Sequence, residues 1–345
     1  MDGSPTTRGL KPRGRMLSRV AESIYWMARY VERAENLARF IDVTQNLILD
    51  QPQDAPEQWE PLVRTTGDED YFNEHYAELT AENVVRFLTF DRDYGNSIVS
   101  SLAIARENAR TVREAISTEA WEQLNEYYHY VRDARNGGPP DSDFFQHLKE
   151  QSHSFNGVLD ATLTRGEGWH FANLGRLIER ADKTTRILDV KYFTLLPNLG
   201  DVGTTLDDLQ WSAVLRSVSA FEAFRKRYHT ITVHRVVEFL ILDPCFPRSV
   251  AFCIDGANTS LHEITGTPLG AFQNTPERLL GQTHAELAYH DVDSIIDQGL
   301  HEFIDRMQGR LNETGDAIHE TFFALRPVES QQQSQSQSQS QSAFT

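Results

Sequence analysis

The segment Arg29-Tyr-Val-Glu-Arg-Ala-Glu-Asn-Leu-Ala-Arg-Phe-Ile-Asp-Val43 occurs a second time, in altered form, as Arg176-Leu-Ile-Glu-Arg-Ala-Asp-Lys-Thr-Thr-Arg-Ile-Leu-Asp-Val190. Seven of the fifteen positions are identical at a spacing of 147 residues. A second pair of segments, 59–98 and 211–250, shares eleven identities in forty at a spacing of 152 residues, where composition alone gives about two or three. We infer a tandem duplication.

Each copy of the repeated segment has the apolar spacing of an amphipathic helix. At 100° per residue, the apolar side chains from Ile24 to Ile41 fall on one arc about half the circumference wide. Acids and bases fall on the opposite face, three and four residues apart, where helix neighbours touch. The charged positions on this face are Arg29, Glu32, Arg33 and Arg39 in the first copy and Arg176, Glu179, Arg180 and Arg186 in the second.

Two acidic positions in each copy lie at the margin of the apolar arc. They are Glu35 and Asp42 in the first copy and Asp182 and Asp189 in the second. A half-buried carboxylate needs a partner, because burying it alone costs more than a helix supplies. Arginine is the most available partner, since the chain has 28 Arg and five Lys and guanidinium forms bidentate pairs. Candidate partners on a later helix are Arg106, Arg110 and Arg113.

The charged face of the repeat has three interpretations. A solvated helix face is the usual role of such charges. An ion-pair network joining the two halves is favoured by the repetition, because a solvated face tolerates any polar residue. A ligand site is the third. Gly175 in the second copy stands where the first has Ala28, which indicates a tight helix contact that tolerates a methyl group.

The whole chain of 345 residues is predicted to be all-α, a duplicated multi-helix bundle of two pseudo-repeats. We expect a disordered basic leader at 1–15, a first helical repeat at 16–150, a second at 151–325 and a disordered Gln/Ser tail at 326–345. Single helices are expected over 59–76 and 206–228, and Thr275 is expected to cap a later helix with Pro276 in its first turn.

Composition excludes several classes of function. The formal net charge of −17 argues against nucleic acid as a partner, which would need a basic face, and against anionic membrane surfaces. No uncharged apolar run is long enough to span a bilayer. With Cys245 and Cys253 as the only cysteines, a disulfide framework is not expected and the chain is assigned to the reducing cytoplasm.

Sequence motifs for nucleotide binding and catalysis are missing. The chain contains no Gly-rich phosphate loop, no nucleophile elbow and no His-Glu-x-x-His. Glu-x-x-His spacings, which can ligate a di-metal centre in a helical bundle, do not follow the duplication, and we expect neither a metal nor a cofactor. These spacings are Glu126 with His129, Glu150 with His153, and Glu167 with His170.

Four motifs carry a resemblance to a known family. They are the segments 16–36, 90–97, 174–182 and 246–250. Together they resemble the bacterial alpha-E domain proteins, a helical family named for its Glu-Arg motif, over about residues 16–325. The resemblance implies a neighbouring or fused circularly permuted ATP-grasp ligase-like protein, a transglutaminase-like protein as a further partner, and a role in peptide synthesis or modification.

Two functions follow from the resemblance and the residues. The first is a non-catalytic helical partner of the ATP-grasp ligase-like protein, consistent with the lack of a complete catalytic constellation. The second is an enzyme of the same system, in which Glu32 and Glu179 serve as acid or base while neighbouring arginines hold a carboxylate or phosphate. We favour the first.

Overall fold

All secondary structure in the described part of the chain is helical. The computed structural model describes residues 16–49, 59–194 and 205–324, and within these ranges the prediction of an all-α fold is confirmed. The predicted disordered leader and tail lie outside the described residues. No described helix combines the length and the low charge needed to cross a membrane.

Fifteen α-helices are present in these ranges, and two of them continue as π-helical turns. The helices are α1 (Ser18–Leu49), α2 (Glu60–Arg64), α3 (Glu69–His75), α4 (Ala81–Phe90), α5 (Ile98–Thr111), α6 (Thr118–Ala134), α7 (Ser142–Thr162), α8 (Glu167–Thr194), α9 (Thr205–Ser217), α10 (Phe221–Arg227), α11 (Val233–Val237), α12 (Val250–Thr265), α13 (Thr275–Tyr289), α14 (Val292–Asp297) and α15 (Leu300–Ile318). The π-helical turns are Glu238–Leu242 after α11 and His319–Phe323 after α15.

Helices α1 and α8 lie side by side at the centre of the molecule. The Met16 backbone N–H donates to Glu167 Oε2 at 2.8 Å, and Arg29 Nε donates to Glu179 Oε2 at 3.0 Å. These contacts advance in the same direction along both helices, so α1 and α8 run parallel. The first copy of the repeated segment therefore faces the second across one helix interface.

The other long helices surround this central pair in a similar way on each side. Helix α1 packs against α5 and α7, and α6 contacts both of those helices. Helix α8 packs against α12 and α15, and α13 contacts both of those. Apolar side chains from α1 through the turn after α15 form one continuous core, which holds the α1–α8 interface in place.

Helix starts follow local sequence signals. The hydroxyls of Thr80, Ser97, Thr232 and Ser249 each accept a hydrogen bond from the backbone N–H three residues later, at the N-termini of α4, α5, α11 and α12. Such caps satisfy donors that have no partner inside the helix. For α13, the expected cap at Thr275 is wrong by one residue, since Asn274 accepts from the Glu277 N–H.

Two predicted helices are each divided into two. The segment 59–76 forms α2 and α3, with Gly67 between them at φ +77°, and 206–228 forms α9 and α10, with Ser219 between them at φ +52°. A residue in the left-handed region ends an α-helix. Glycine is the usual residue in this conformation, so Gly67 marks the break in the sequence. Serine rarely adopts it, so Ser219 does not mark the second break.

Helices α1 and α8 approach each other closely at Gly175. A Cβ at this position would lie 2.4 Å from the Tyr25 carbonyl oxygen and 3.2 Å from Arg29 Cγ. The expectation that this contact tolerates a methyl group is therefore wrong, because the first obstacle is backbone that cannot rotate away.

Candidate functional site

The charged face of α1 is buried. Glu32, Asn36 and Arg39 are 1%, 2% and 5% exposed, and Glu179 of α8 is 0% exposed. These residues point into the interface between the two halves of the chain, so their burial excludes the interpretation as a solvated helix face. We define the Glu-Arg joint as the interface centred on Glu32-Arg33 of α1 and Glu179-Arg180 of α8.

Glu179 is held by two arginines of α1. Arg33 Nε donates to Glu179 Oε1 at 2.7 Å and Arg33 NH2 to Oε2 at 3.0 Å. Arg29 donates to the same Oε2 from Nε at 3.0 Å, with its NH2 at 2.9 Å. Both carboxylate oxygens of Glu179 are thus paired with guanidinium donors from the opposite helix.

Glu32 of α1 accepts hydrogen bonds from an arginine of α8, the reverse of the arrangement at Glu179. Arg180 of α8 binds it in a bidentate pair, from Nε to Oε1 and from NH2 to Oε2, both at 2.8 Å. Arg248, in the turn before α12, adds a hydrogen bond from NH1 to Oε1 at 3.1 Å. Each half of the chain therefore supplies the acid for the other half's arginine.

Arg248 is the site residue that our sequence reasoning missed. Its NH2 donates to both oxygens of Glu35 at 2.9 and 2.8 Å, while Arg39 pairs with the same carboxylate from one turn further along α1. His153 Nε2 lies 3.6 Å from Glu35 Oε1. A signal was present, since Arg248 precedes the helix-capping Ser249 inside one of the four family motifs.

Of the remaining marginal acids, Asp182 has an arginine partner, as expected, whereas Asp42 and Asp189 pair with a lysine and a histidine. Asp42 accepts from Lys149 at 2.7 Å and from Ser142 at 2.6 Å. Asp182 pairs with Lys183 at 3.1 Å and with Arg186 Nε at 2.9 Å, and Asp189 lies 2.7 Å from the His301 Nδ1. None of these acids depends on an arginine of α5.

The arginines proposed as partners on and after α5 act elsewhere. Arg106 binds Asn125 at 2.7 Å and Glu107 at 3.0 Å, and Arg110 also pairs with Glu107 at 2.7 Å. The guanidinium of Arg113 stacks over the Trp121 ring, 5.0 Å from its centroid. The assignment of Arg106, Arg110 and Arg113 to the marginal acids is therefore wrong, because Arg106 and Arg113 contact α6 and Arg110 pairs within α5.

Arg176 differs from its counterpart Arg29. Its NH2 donates to Asn173 at 2.6 Å, and it forms no ion pair within residues 16–49, 59–194 and 205–324. Burial lowers the pKa of Arg176, and the nearby positive charge of Arg180 lowers it further. The joint is thus not fully symmetrical in its contacts.

Electrostatics keep the central carboxylates ionised. Burial by itself would raise the pKa of Glu179, but Arg33, Arg29 and Lys183 outweigh it and hold that pKa well below its usual range. Burial is likewise outweighed at Glu35 by Arg248 and Arg39, and at Glu32 by Arg180 and Arg248, so the pKa of each is lowered. An acid held in this way is a poor proton donor and a weak base.

We expect acid to weaken the joint. A carboxylate whose pKa is lowered by folding contributes stability above its unfolded pKa of about 4.3 and loses it as the pH falls through the folded value. The free energy of unfolding should therefore stay level from pH 7 to about 5 and fall below that. Urea midpoints measured from pH 7 to pH 3 test this, and Glu179→Gln should flatten the fall. An equal fall in Glu179→Gln and the parent would contradict it.

Metal ligation finds no support in the contacts of the described ranges. There, no group of three or more His, Cys, Asp or Glu side chains is placed to hold a metal ion. Within the same ranges Cys245 and Cys253 are free thiols, and burial raises the pKa of Cys253 to about 12.

Comparison with known proteins identifies a family that is described by a Glu-Arg motif. A model of the Alpha-E family, described as a predicted alpha-helical domain with a conserved ER motif, matches residues 16–323. Uncharacterized proteins of Mycobacterium bovis and of Mycobacterium tuberculosis strains CDC 1551 and H37Rv are 24% identical to the chain over 345 residues, covering 89% of it. The chain spans only 37% of the length of these relatives. No solved structure matches. Since the family model covers most of the chain, including both Glu-Arg pairs, this chain belongs to the Alpha-E family.

Proposed function

We propose that this chain is a non-catalytic accessory protein, whose Glu-Arg pairs join its two halves and which serves an ATP-grasp ligase-like protein in peptide synthesis or modification. One observation carries the non-catalytic part. Glu32 and Glu179 are 1% and 0% exposed, with their oxygens paired to arginines. A general acid or base must come within hydrogen-bond reach of its substrate, and these carboxylates have no surface for that contact.

The proposed partner rests on the family resemblance and on the length of the relatives. In the mycobacterial proteins the matching stretch is a minor part of a longer chain. A domain that occurs within a longer chain is more readily explained as one that works together with another protein than as one that acts alone. A transglutaminase-like protein is proposed as a second partner on the resemblance alone.

The accessory role is tested by ATP turnover. The purified chain should show no ATP hydrolysis, and it should raise or redirect the turnover of an ATP-grasp ligase-like protein encoded beside it. Glu179→Gln, assayed where circular dichroism shows it folded, should keep this effect because the carboxylate has a structural role. ATP hydrolysis by the pure chain, or loss of the effect in folded Glu179→Gln, would favour the catalytic alternative.

We further propose that the two halves arose by duplication. Support comes from the reciprocal pairs across the joint, the kind of contact that a two-fold arrangement of like parts produces. The turns before α5 and α12 also agree: Asp91 Oδ1 accepts from two backbone N–H groups at 2.9 and 3.2 Å, as does Asp243 Oδ1 at 2.7 and 2.8 Å. A superposition of the halves that placed Arg29 and Arg176 in unrelated positions would refute this proposal.

A further inference from the structure

A small polar cavity lies next to the Glu-Arg joint, on the side of Glu179. Its volume is about 150 Å³, and α1, α8, the turn between α2 and α3, the turn before α5 and α15 all contribute to its wall. The polar residues that matter for its chemistry are Arg29, Arg33, Asp182, Lys183, Arg186 and Asn312. Small-molecule pockets usually have about 300 to 1,000 Å³, so this cavity suits a small ion or the end group of a larger molecule.

The cavity wall carries an excess of positive charge. Four cations line it, Arg29, Arg33, Lys183 and Arg186, against the single carboxylate of Asp182. Glu179 lies behind them with no exposed surface, while the four cationic side chains remain 12% to 23% exposed. The four cations and the Asp182 carboxylate therefore line the cavity, whereas the Glu179 carboxylate does not.

Among the described residues, several donors on this wall have no hydrogen-bond acceptor. Arg186 donates to Asp182 from its Nε alone. Its two terminal amino groups make no hydrogen bond within the described ranges. Within the described residues Lys183 gives one hydrogen bond, to Asp182 at 3.1 Å, and its Nζ lies 3.7 Å from Glu179 Oε1, although an ammonium group has three donors. Asp68, the next carboxylate nearby, is already bound by Tyr94 at 2.6 Å and Asn96 at 3.2 Å.

We propose that this cavity binds a small oxyanion, a phosphate or carboxylate group, through Lys183 and Arg186. An oxyanion would satisfy the unused donors and offset the local positive charge, which is costly where the cations are partly removed from water. Charge-assisted hydrogen bonds of this kind are short and strong, and arginine suits both groups. This proposal does not depend on the accessory role, and a separate experiment tests it.

Calorimetric titration with inorganic phosphate, and separately with acetate, tests the site at constant ionic strength. Binding of either anion is expected, and the anion that binds identifies the ligand group as phosphate or carboxylate. Lys183→Met should weaken that binding by about ten- to hundred-fold, the effect of losing a hydrogen bond to a charged group. Lys149→Met is the matched control, since Lys149 is also nearly buried and pairs with an aspartate of α1, and its affinity should equal that of the parent.

A second variant keeps the test independent of folding. Asn312 is exposed at the rim of the cavity, so Asn312→Asp adds a negative charge without disturbing the joint and should weaken anion binding several-fold, whereas Asn312→Ala should not. No heat with either anion at millimolar concentration would overturn the proposal. Equal affinities in Lys183→Met, Asn312→Asp and the parent would also overturn it, because binding would then lie elsewhere.

Discussion

Glu179→Ala is expected to lower the free energy of unfolding by about 3 to 5 kcal/mol, the usual cost of removing one partner from a buried ion pair. The change leaves Arg29 and Arg33 next to each other at the centre of the interface without the carboxylate that both bind. Two like charges then remain partly buried. Urea unfolding midpoints at constant slope measure the effect.

Glu107→Ala is the control for this experiment. Glu107 also binds two arginines, but it is 51% exposed, so its loss should cost about 0 to 1 kcal/mol. Glu32→Ala should cost somewhat less than Glu179→Ala, because Arg248 retains Glu35 as a partner. A midpoint for Glu179→Ala as close to the parent as that of Glu107→Ala would show that the joint does not stabilise the fold.

Gly175→Ala is expected to destabilise the protein by about 1 to 3 kcal/mol, as overpacking of a tight interior usually does. The new methyl group would lie 2.4 Å from the Tyr25 carbonyl oxygen, so α1 and α8 must move apart. Their separation would also lengthen the hydrogen bonds between Arg29 and Glu179. Thermal or urea unfolding measures the loss.

Gly157→Ala is the control, and it is expected to raise the free energy of unfolding instead of lowering it. Gly157 lies inside α7 with nothing within 4 Å of the position of a Cβ, so the substitution should stabilise the helix by about 0.5 to 1 kcal/mol. Both variants make the same chemical change inside a helix, and they differ only in the space around it. An equal unfolding midpoint for Gly175→Ala and Gly157→Ala would contradict the close contact of α1 and α8 at Gly175.

Part of the candidate site could be predicted from the repeated segment. Its charged positions, its marginal acids and the need for arginine partners all follow from spacing and from the cost of burying a bare carboxylate. The identity of the partners could not be predicted. Arg248 is 213 residues from Glu35, with which it pairs, while Arg106, a candidate by its helical spacing, pairs with Asn125 and Glu107 instead.

The sequence by itself determined the all-α fold and the amphipathic helices of the repeated segment, because helical periodicity depends on residues within one or two turns of each other. Only the tertiary structure decided that the charged face of α1 is buried, that Glu32 and Glu179 each pair with arginines of the other half, and that Gly175 admits no methyl group. These features depend on which side chains packing brings within about 4 Å across the interface, and spacing along one helix carries no information about that distance.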